Sequence, residues 1–358
     1  MNKGIKISLL DLGYYDFFES GRKNLGLTEY PVARVIAEYR GAYRVKNADE
    51  EFLAKITGKQ MFVAKKREDY PAVGDWVVIE KLSEKRAVIR GILPRKTVLK
   101  KKYSYKQENQ VIATNIDTAF IVESMDRDYN LNRFERFFVL SIEGNINPTI
   151  ILNKTDLISE IELNNRIAKI QNRFKTVNII TTSTITEEGL DELLNSIEKG
   201  KTYCFLGSSG VGKSSLINKL LRKDEIKTRE MGIVTGKGKH TTTTREMYFL
   251  ENKGLVIDNP GTREVGISDS DTGIEIVFDE IHFLSKKCKY TNCSHVHEPG
   301  CVVLKALEEK MIDKDKYMNY IILKKESEHY KMTHLEKRTK DRKFGRFIKK
   351  YQDKLKDN

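Results

Sequence analysis

The sequence predicts an α/β domain of the phosphate-loop class with its motifs in rotated order, an all-β barrel in front of it and a mostly helical, metal-binding segment behind it. Three observations carry that expectation. Strands alternate with helices from about residue 111 to 270, GSSGVGKSS at 207 follows rather than precedes NKTD at 153, and cysteines and histidines gather in CKYTNCSHVHEPGC from 288.

The front segment, residues 32 to 93, reads as five short strands with polar turns and no convincing helix: VARVIAEY, AYRVKN, EEFLAKITGK, VGDWVVIEK and RAVIRGI. Such a pattern suits a small closed barrel of the oligonucleotide-binding (OB) kind, and an SH3-like barrel would read similarly. Beyond it, DTAFIVESM, PTIILNKTD, VNIITTS and TYCFLG read as strands. NRFERFFVLSIEG, ELNNRIAKIQNRF, GLDELLNSIEK and SSLINKLL read as the intervening helices, an alternation that builds a parallel sheet. The expected boundaries are a leader at 1–30, the barrel at 31–105, the α/β domain at 106–272 and a metal-binding domain with a basic helical tail at 273–358. The leader carries no motif and is expected to pack on the barrel.

Composition limits the partners. The chain has 358 residues, 39% hydrophobic and 9% aromatic, which is ample for folded domains. No apolar run approaches eighteen residues and no cleavable leader is visible, so a cytoplasmic protein with no membrane association is expected. Four cysteines in a reducing compartment point to metal binding or burial rather than disulfides. With 64 Lys and Arg against 51 Asp and Glu the net charge is +13, which calls for a polyanionic partner. Much of the excess lies in PRKTVLKKKYSYK (94–106) and in the tail from 331 to 358.

GSSGVGKS matches GxxxxGK[ST] in full, between a strand and a helix. Its residues, Gly207, Ser208, Ser209, Gly210, Val211, Gly212, Lys213, Ser214 and the adjoining Ser215, are candidate phosphate ligands. The glycines let backbone N–H groups curl around phosphates at a helix N-terminus, Lys213 reaches the β and γ phosphates, and Ser214 ligates Mg²⁺. NKTD selects the base. The Asp156 carboxylate only accepts hydrogen bonds, and guanine offers it two donors where adenine offers none. Asn153 would contact the far edge of the base, the Lys154 stem would lie over the ring, and Thr155 completes the tetrapeptide. Ser183 and Thr184 resemble the loop that closes over guanine. LVIDNPG supplies DxxG, with Asp258 holding Mg²⁺ through water and the Gly261 amide sensing the γ-phosphate. The threonines of KGKHTTTTR, of which Thr242 is the candidate, would complete the Mg²⁺ shell in the switch, although spacing does not choose among residues 241 to 244. Base reader, base loop, phosphate loop, switch and DxxG thus follow in cyclically rotated order, which a parallel sheet tolerates because all of them lie on one carboxyl edge.

Cys288, Cys293, His295 and Cys301 form CxxxxCxHxxxxxC, three thiolates and an imidazole for one tetrahedral, structural Zn²⁺. His297 competes for the imidazole position by spacing alone. Cys204, inside a strand, reads as a buried residue.

With NKTD, GSSGVGKSS, GKHTTT at 238, DNPG at 258 and the cysteine cluster, the chain resembles the RsgA family of circularly permuted GTPases, which assist late maturation of the bacterial small ribosomal subunit. The resemblance covers nearly the whole chain. It implies an α/β P-loop GTPase domain, circularly permuted, with an N-terminal all-β OB-fold barrel and a C-terminal, mostly helical zinc-binding domain. It also implies GTP hydrolysis to GDP stimulated by the small subunit, contacts to ribosomal RNA, a monomer in the cytoplasm, and His295 as the zinc ligand. Where many GTPases place a water-orienting Gln after DxxG, this chain has Thr262. Hydrolysis by the free protein is therefore expected to be slow, on the order of 10⁻⁴ to 10⁻² per second. His240, together with Lys213 and Thr242, is the catalytic candidate, acting once RNA orders the switch; an RNA-contacting histidine is the alternative. The competing functions are a P-loop ATPase or kinase with an accidental NKTD, and an RNA-binding module with a degenerate pocket.

Overall fold

The computed structural model describes residues 7–102, 109–126, 129–222, 226, 245–258, 266 and 270–331. Two compact units result, Met1–Val265 and Gly266–Asn358. No helix among the described residues is long and apolar enough to cross a membrane.

The first unit opens with α1 (Asp16–Asn24) and then the barrel strands β1 (Val32–Tyr39), β2 (Ala42–Lys46), β3 (Glu51–Ile56), β4 (Trp76–Ser83) and β5 (Arg86–Ile92). The barrel closes because β1 pairs with both β2 and β4, while β5 lies parallel to β3 and antiparallel to β4. That is the five-stranded closure of an OB-fold. Alternate residues Ala33, Val35, Phe52, Val77, Ile79 and Ile89 fill its interior. The sequence reading missed one element here. The expected third strand stops at Ile56, and Gly58–Val63 forms a short helix, α2. A glycine start and the apolar run Met61–Val63 resemble a strand end when read locally, because the polar spacing of a helix is absent.

The outward face of β1 and β4 is also buried, and for a different reason. Tyr14 and Phe18 of the leader segment pack on the Trp76 ring at 4.7 and 6.0 Å. Arg34, fully buried on β1, donates to the carbonyls of Leu12 (2.6 Å), Gly74 (3.3 Å) and Asn115 (3.0 Å). One guanidinium thus ties the leader, the barrel and the following segment together, and burial lowers its pKa to about 10. A ribbon of β6 (Val98–Lys102) and β7 (Asn109–Thr114) follows, and Arg95 just before it grips the buried Asp75 through two bonds of 2.8 and 2.7 Å. Arg95 belongs to the basic run at 94–106, yet here it serves the fold rather than an outside partner.

The α/β part consists of β8 (Thr118–Ser124), α3 (Leu131–Glu143), β9 (Asn147–Asn153), α4 (Glu160–Arg173), β10 (Ile179–Thr182), α5 (Leu190–Asn195), β11 (Thr202–Leu206), α6 (Lys213–Leu221), β12 (Glu246–Phe249) and β13 (Leu255–Asp258). Its sheet order is β10-β9-β8-β11-β13-β12, parallel from β10 to β13 with β12 antiparallel. Chain order runs one way from β8 to β10 and the other way from β11 to β13, so the switch point where open α/β sheets bind ligands lies between the ends of β8 and β11. Leu216, Ile217, Leu220 and Leu221 of α6 are buried against Phe120, Tyr203 and Phe205. The sheet then continues into the barrel, since Ala37 of β1 pairs with Glu246 of β12. Arg44 meets Glu246 across that seam, and Arg245 lies 3.7 Å from Glu38.

The second unit is helical in its described residues, with α7 (Asp271–Val277), α8 (Asp279–Ser285), α9 (Val302–Glu308) and α10 (Lys314–Lys331) around Phe278, Ile281, Val303 and Ile321. The basic tail beyond 331 and residues 103–108 of the basic run lie outside the described residues.

Gly74 sits at φ +96°, and a Cβ there would come within 2.1 Å of the Thr114 carbonyl. Gly74→Ala is therefore expected to destabilise the first unit by about 3 kcal/mol. Urea unfolding followed by the fluorescence of Trp76, the sole tryptophan, measures it; an unchanged midpoint would refute the close approach.

Candidate nucleotide and metal sites

Asn153 ends β9, so its side chain emerges at the carboxyl edge of the sheet. Its Nδ2 donates to the Val211 carbonyl of the phosphate loop at 2.8 Å, and its Oδ1 accepts from Thr182 Oγ1 at 3.1 Å. Lys154 turns the chain in the left-handed region, φ 62°. From there its Nζ reaches the Gly210 carbonyl at 2.7 Å and Asp126 at 3.0 Å. Thr155 Oγ1 donates to the Thr182 carbonyl at 3.3 Å. Asp156 itself is exposed, with its Oδ1 accepting from Ser183 Oγ at 2.5 Å. Ser183 in turn accepts from the N–H groups of Ile185 and Thr186. A fixed hydroxyl thereby aims the carboxylate while leaving its other oxygen for a ligand.

The phosphate loop runs from β11 into α6. Gly207, Gly210 and Gly212 all hold positive φ, as a loop with inward N–H groups requires. Lys213 Nζ donates to the carbonyls of Gly207 (2.8 Å) and Ser208 (2.7 Å). Burial lowers its pKa to about 8, against a smaller opposing pull from Asp258. Ser208 is half-buried and Ser209 exposed. Thr184 and Ser215 line a cavity of about 710 Å³ beside the base loop.

Asp258, at the end of β13, lies beside β11, with Ser214 Oγ 3.5 Å from its Oδ2. Its Oδ1 is buried with no hydrogen-bond partner among the described residues, and burial raises its pKa. A buried, half-satisfied carboxylate next to a hydroxyl is a donor set for a hard, oxygen-seeking cation, so Ser214 and Asp258 fit Mg²⁺. His240, Thr242 and Gly261, the remaining sequence candidates, lie outside the described residues. Sequence reasoning did not find Asp126 and Thr182, which orient Lys154 and Asn153. Their only signal is position at a strand's carboxyl end.

In the second unit, one ligand atom each from Cys288, Cys293, His295 and Cys301 lies within 4.8 Å of the others. His295 Nδ1 is 3.7 Å from Cys288 Sγ and 3.5 Å from Cys301 Sγ, and those two sulfurs are 3.9 Å apart. Tetrahedral Zn²⁺ would need about 3.6 Å between S and N and about 3.8 Å between sulfurs. His297, the competitor by spacing, is exposed. Burial pushes the Cys301 thiol up to about 12 and His295 down to about 4. A cation would reverse the first effect, and the second keeps the imidazole in its ligating form. Glu298 holds the intervening loop by accepting from Ser294, Val296 and His297, and Tyr317 OH donates to the His295 carbonyl at 2.6 Å. Cys204 is buried in β11, away from this cluster in sequence and unit.

The fold and the nucleotide edge define a P-loop GTPase whose sheet is threaded in circularly permuted order. Comparisons with known proteins agree. The RsgA GTPase profile matches residues 92–268. The chain is 36% identical over 318 residues, 88% of each protein, to "Small ribosomal subunit biogenesis GTPase RsgA 1" of Bacteroides thetaiotaomicron. It is 37% identical over 295 residues, 82% of this chain and 83% of the other, to "Small ribosomal subunit biogenesis GTPase RsgA 2" of Lactiplantibacillus plantarum. Among solved structures, YjeQ from Thermotoga maritima aligns with TM-score 0.59 and 26% identity over 82% of this chain and 96% of its own. YloQ, described as a circularly permuted GTPase, shares the fold at TM-score 0.59 and 23% identity over 85% of this chain and 97% of its own. The chain belongs to the RsgA GTPase family.

Two outcomes follow from this geometry. Lys213 titrates near 8 in the free chain, and a triphosphate raises that value by favouring the charged amine. GTP binding should therefore take up a proton above about pH 8 and weaken as pH rises further, which calorimetry in buffers of different ionisation enthalpy detects. Thiol modification of the folded chain should release one zinc per molecule, and Cys301→Ser should abolish that release and lower helicity. Colorimetric metal titration and circular dichroism test both.

Proposed function

We propose that this GTPase binds the small ribosomal subunit and its RNA, assists late maturation of that subunit, and hydrolyses GTP to GDP and phosphate when the subunit stimulates it. The observation that carries the guanine assignment is the Ser183–Asp156 hydrogen bond of 2.5 Å beside the Asn153–Val211 bond of 2.8 Å. Together they hold an acceptor for guanine's N1–H and amino group in fixed relation to the phosphate loop. The names of the relatives support the ribosomal partner, as do the chain's net charge of +13 and its OB barrel.

In this reading Asn153, Lys154 and Asp156 read the base, with Ser183 and Thr184 closing over it. Residues 207–215 cradle the phosphates, and Lys213 neutralises charge developing on the γ-phosphoryl group. Ser214 and, through water, Asp258 would hold Mg²⁺, which would supply positive charge against the triphosphate. The buried, half-satisfied Asp258 is the chain's own contribution to that charge balance. Thr262 stands where other GTPases have a water-orienting Gln, so the free protein turns over slowly and the subunit supplies the missing order, with His240 and Thr242 as participants. Cys288, Cys293, His295 and Cys301 hold a structural Zn²⁺. The protein works as a cytoplasmic monomer.

Steady-state hydrolysis measured alone, with small subunits and with large subunits tests this directly. Stimulation of GTP hydrolysis by small subunits only, with none for ATP, is expected; a rate unmoved by small subunits refutes the ribosomal assignment. Asp156→Asn should weaken GTP at least 100-fold and favour xanthosine triphosphate, whose C2 carbonyl accepts from the new amide. Nucleotide binding unaltered by Asp156→Asn would return the reading in which NKTD is accidental.

A further inference from the structure

A cavity of about 310 Å³ lies at the end of the parallel sheet opposite the nucleotide edge. Its size is at the lower limit of small-ligand sites. Asp117, Asn147 and Thr202 reach it from the amino ends of β8, β9 and β11. Tyr15 and Phe18 of the leader line it from one side, and Arg34 of β1 borders it from the barrel. Among the described residues, none of NKTD or the phosphate loop lines it. The cavity therefore exists only where the leader, the barrel and the α/β part meet.

Charge sets it apart from an ordinary packing gap. Arg34, Lys96, Lys199 and Lys201 line it together with a single described carboxylate, Asp117. Lys201 pairs with Asp117 at 3.2 Å, and Lys199 pairs with Asp11 at 2.9 Å. Among the described residues, Arg34 and Lys96 have no carboxylate within ion-pair distance, and the Lys96 amine instead lies 5.4 Å from the centre of the Tyr15 ring. Carbonyls satisfy the N–H groups of a buried guanidinium without neutralising its charge, so an anion is its natural complement. Arg34 is 1% exposed, and its three carbonyl partners take one N–H from each of its nitrogens. Each terminal nitrogen thus retains a second N–H with no partner among the described residues. Two N–H groups on a planar, permanently charged fork suit a phosphoryl group. The exposed lysines at the rim add the charge a dianion needs, and the aromatic rings offer an apolar wall. So small a volume takes a phosphate on a short carbon skeleton rather than a polynucleotide.

We propose that this cavity binds a small phosphomonoester, with its phosphoryl oxygens on Arg34 and Lys96 and its carbon skeleton against Tyr15 and Phe18. The site is independent of the ribosomal reading. Paired strands β8 and β11 run from this cavity to the two sides of the switch point. The ester and the guanine nucleotide therefore occupy opposite ends of the same strands and bind together rather than in competition. Since all three parts line the cavity, bound ester also stabilises their junction by mass action.

The test uses the full chain saturated with GDP, so that the phosphate loop is filled, titrated calorimetrically with glycerol 3-phosphate, glucose 6-phosphate, inorganic phosphate and citrate. Trp76, whose ring centre lies 5.8 Å from the Arg34 guanidinium carbon, supplies a local fluorescence readout. Expected are one ester site per chain with GDP bound, at least tenfold tighter than inorganic phosphate or citrate, a saturable change in Trp76 emission and a raised thermal midpoint. Lys96→Gln changes an exposed side chain away from the nucleotide edge. It should weaken the ester at least fivefold while GDP affinity and basal GTP hydrolysis stay unchanged. Arg34→Lys should abolish ester binding, and if that variant unfolds, Lys96→Gln carries the test alone. The proposal is overturned by no ester binding up to about 10 mM, by ester binding seen only without GDP, by equal affinity for inorganic phosphate or citrate, or by full ester affinity in Lys96→Gln.

Discussion

The hydrogen bond from Asn153 Nδ2 to the Val211 carbonyl is the constraint on which the nucleotide site depends, because it joins residues 58 apart in the chain. Gly212 leaves the room for it, since a Cβ there would lie 2.2 Å from the same Nδ2. The base-reading strand and the phosphate loop therefore meet as backbone against side chain, with no slack between them. Lys154 repeats the connection from the next residue by crossing to the Gly210 carbonyl. Order of appearance in the chain is immaterial to these contacts. The parallel register of β9, β8, β11 and β13 sets NKTD, the phosphate loop and Asp258 at one edge, and a rotated sequence satisfies that register as well as an unrotated one.

Much of this was legible in the sequence because the signals are local. Strand and helix periods in the α/β part are strong, the phosphate loop and tetrapeptide carry their chemistry in consecutive residues, and the four metal-ligating residues fall within fourteen positions. The barrel strands were equally readable from their alternation. What escaped was decided between distant residues. Arg34 and Arg95 look like surface cations by type, yet the first is buried among three carbonyls and the second pairs with the buried Asp75. Nothing in VARVIAEY marks its outward face as a second interior, because that interior is made by Tyr14 and Phe18 far upstream. Spacing alone left His295 and His297 equal and only the resemblance named His295; the fold turns that one inward and leaves the other in solvent.

Buried charge recurs at the seams of this molecule. Arg34, the Arg95–Asp75 pair, the Arg173–Glu135 pair at 2.7 Å and Lys213 all sit where one element meets another. Each is matched by carbonyls or a carboxylate, as a desolvated charge must be. Removing one partner of such a pair leaves the other unmatched, so these seams resist sliding more than apolar contacts of the same area would. The thiol cluster of the second unit follows the same logic with the sign inverted: three crowded sulfurs and an imidazole become favourable only around a cation.

The threading of the sheet has a mechanical consequence. β8, which receives the chain from the barrel and its ribbon, and β13, after which the chain leaves the α/β part, both hydrogen-bond directly to β11. In this arrangement the polypeptide enters and departs through the two strands flanking the phosphate-loop strand, rather than through the sheet's margins. Tension applied along the chain on either side is therefore borne by the centre of the sheet, one strand away from where the phosphates are held.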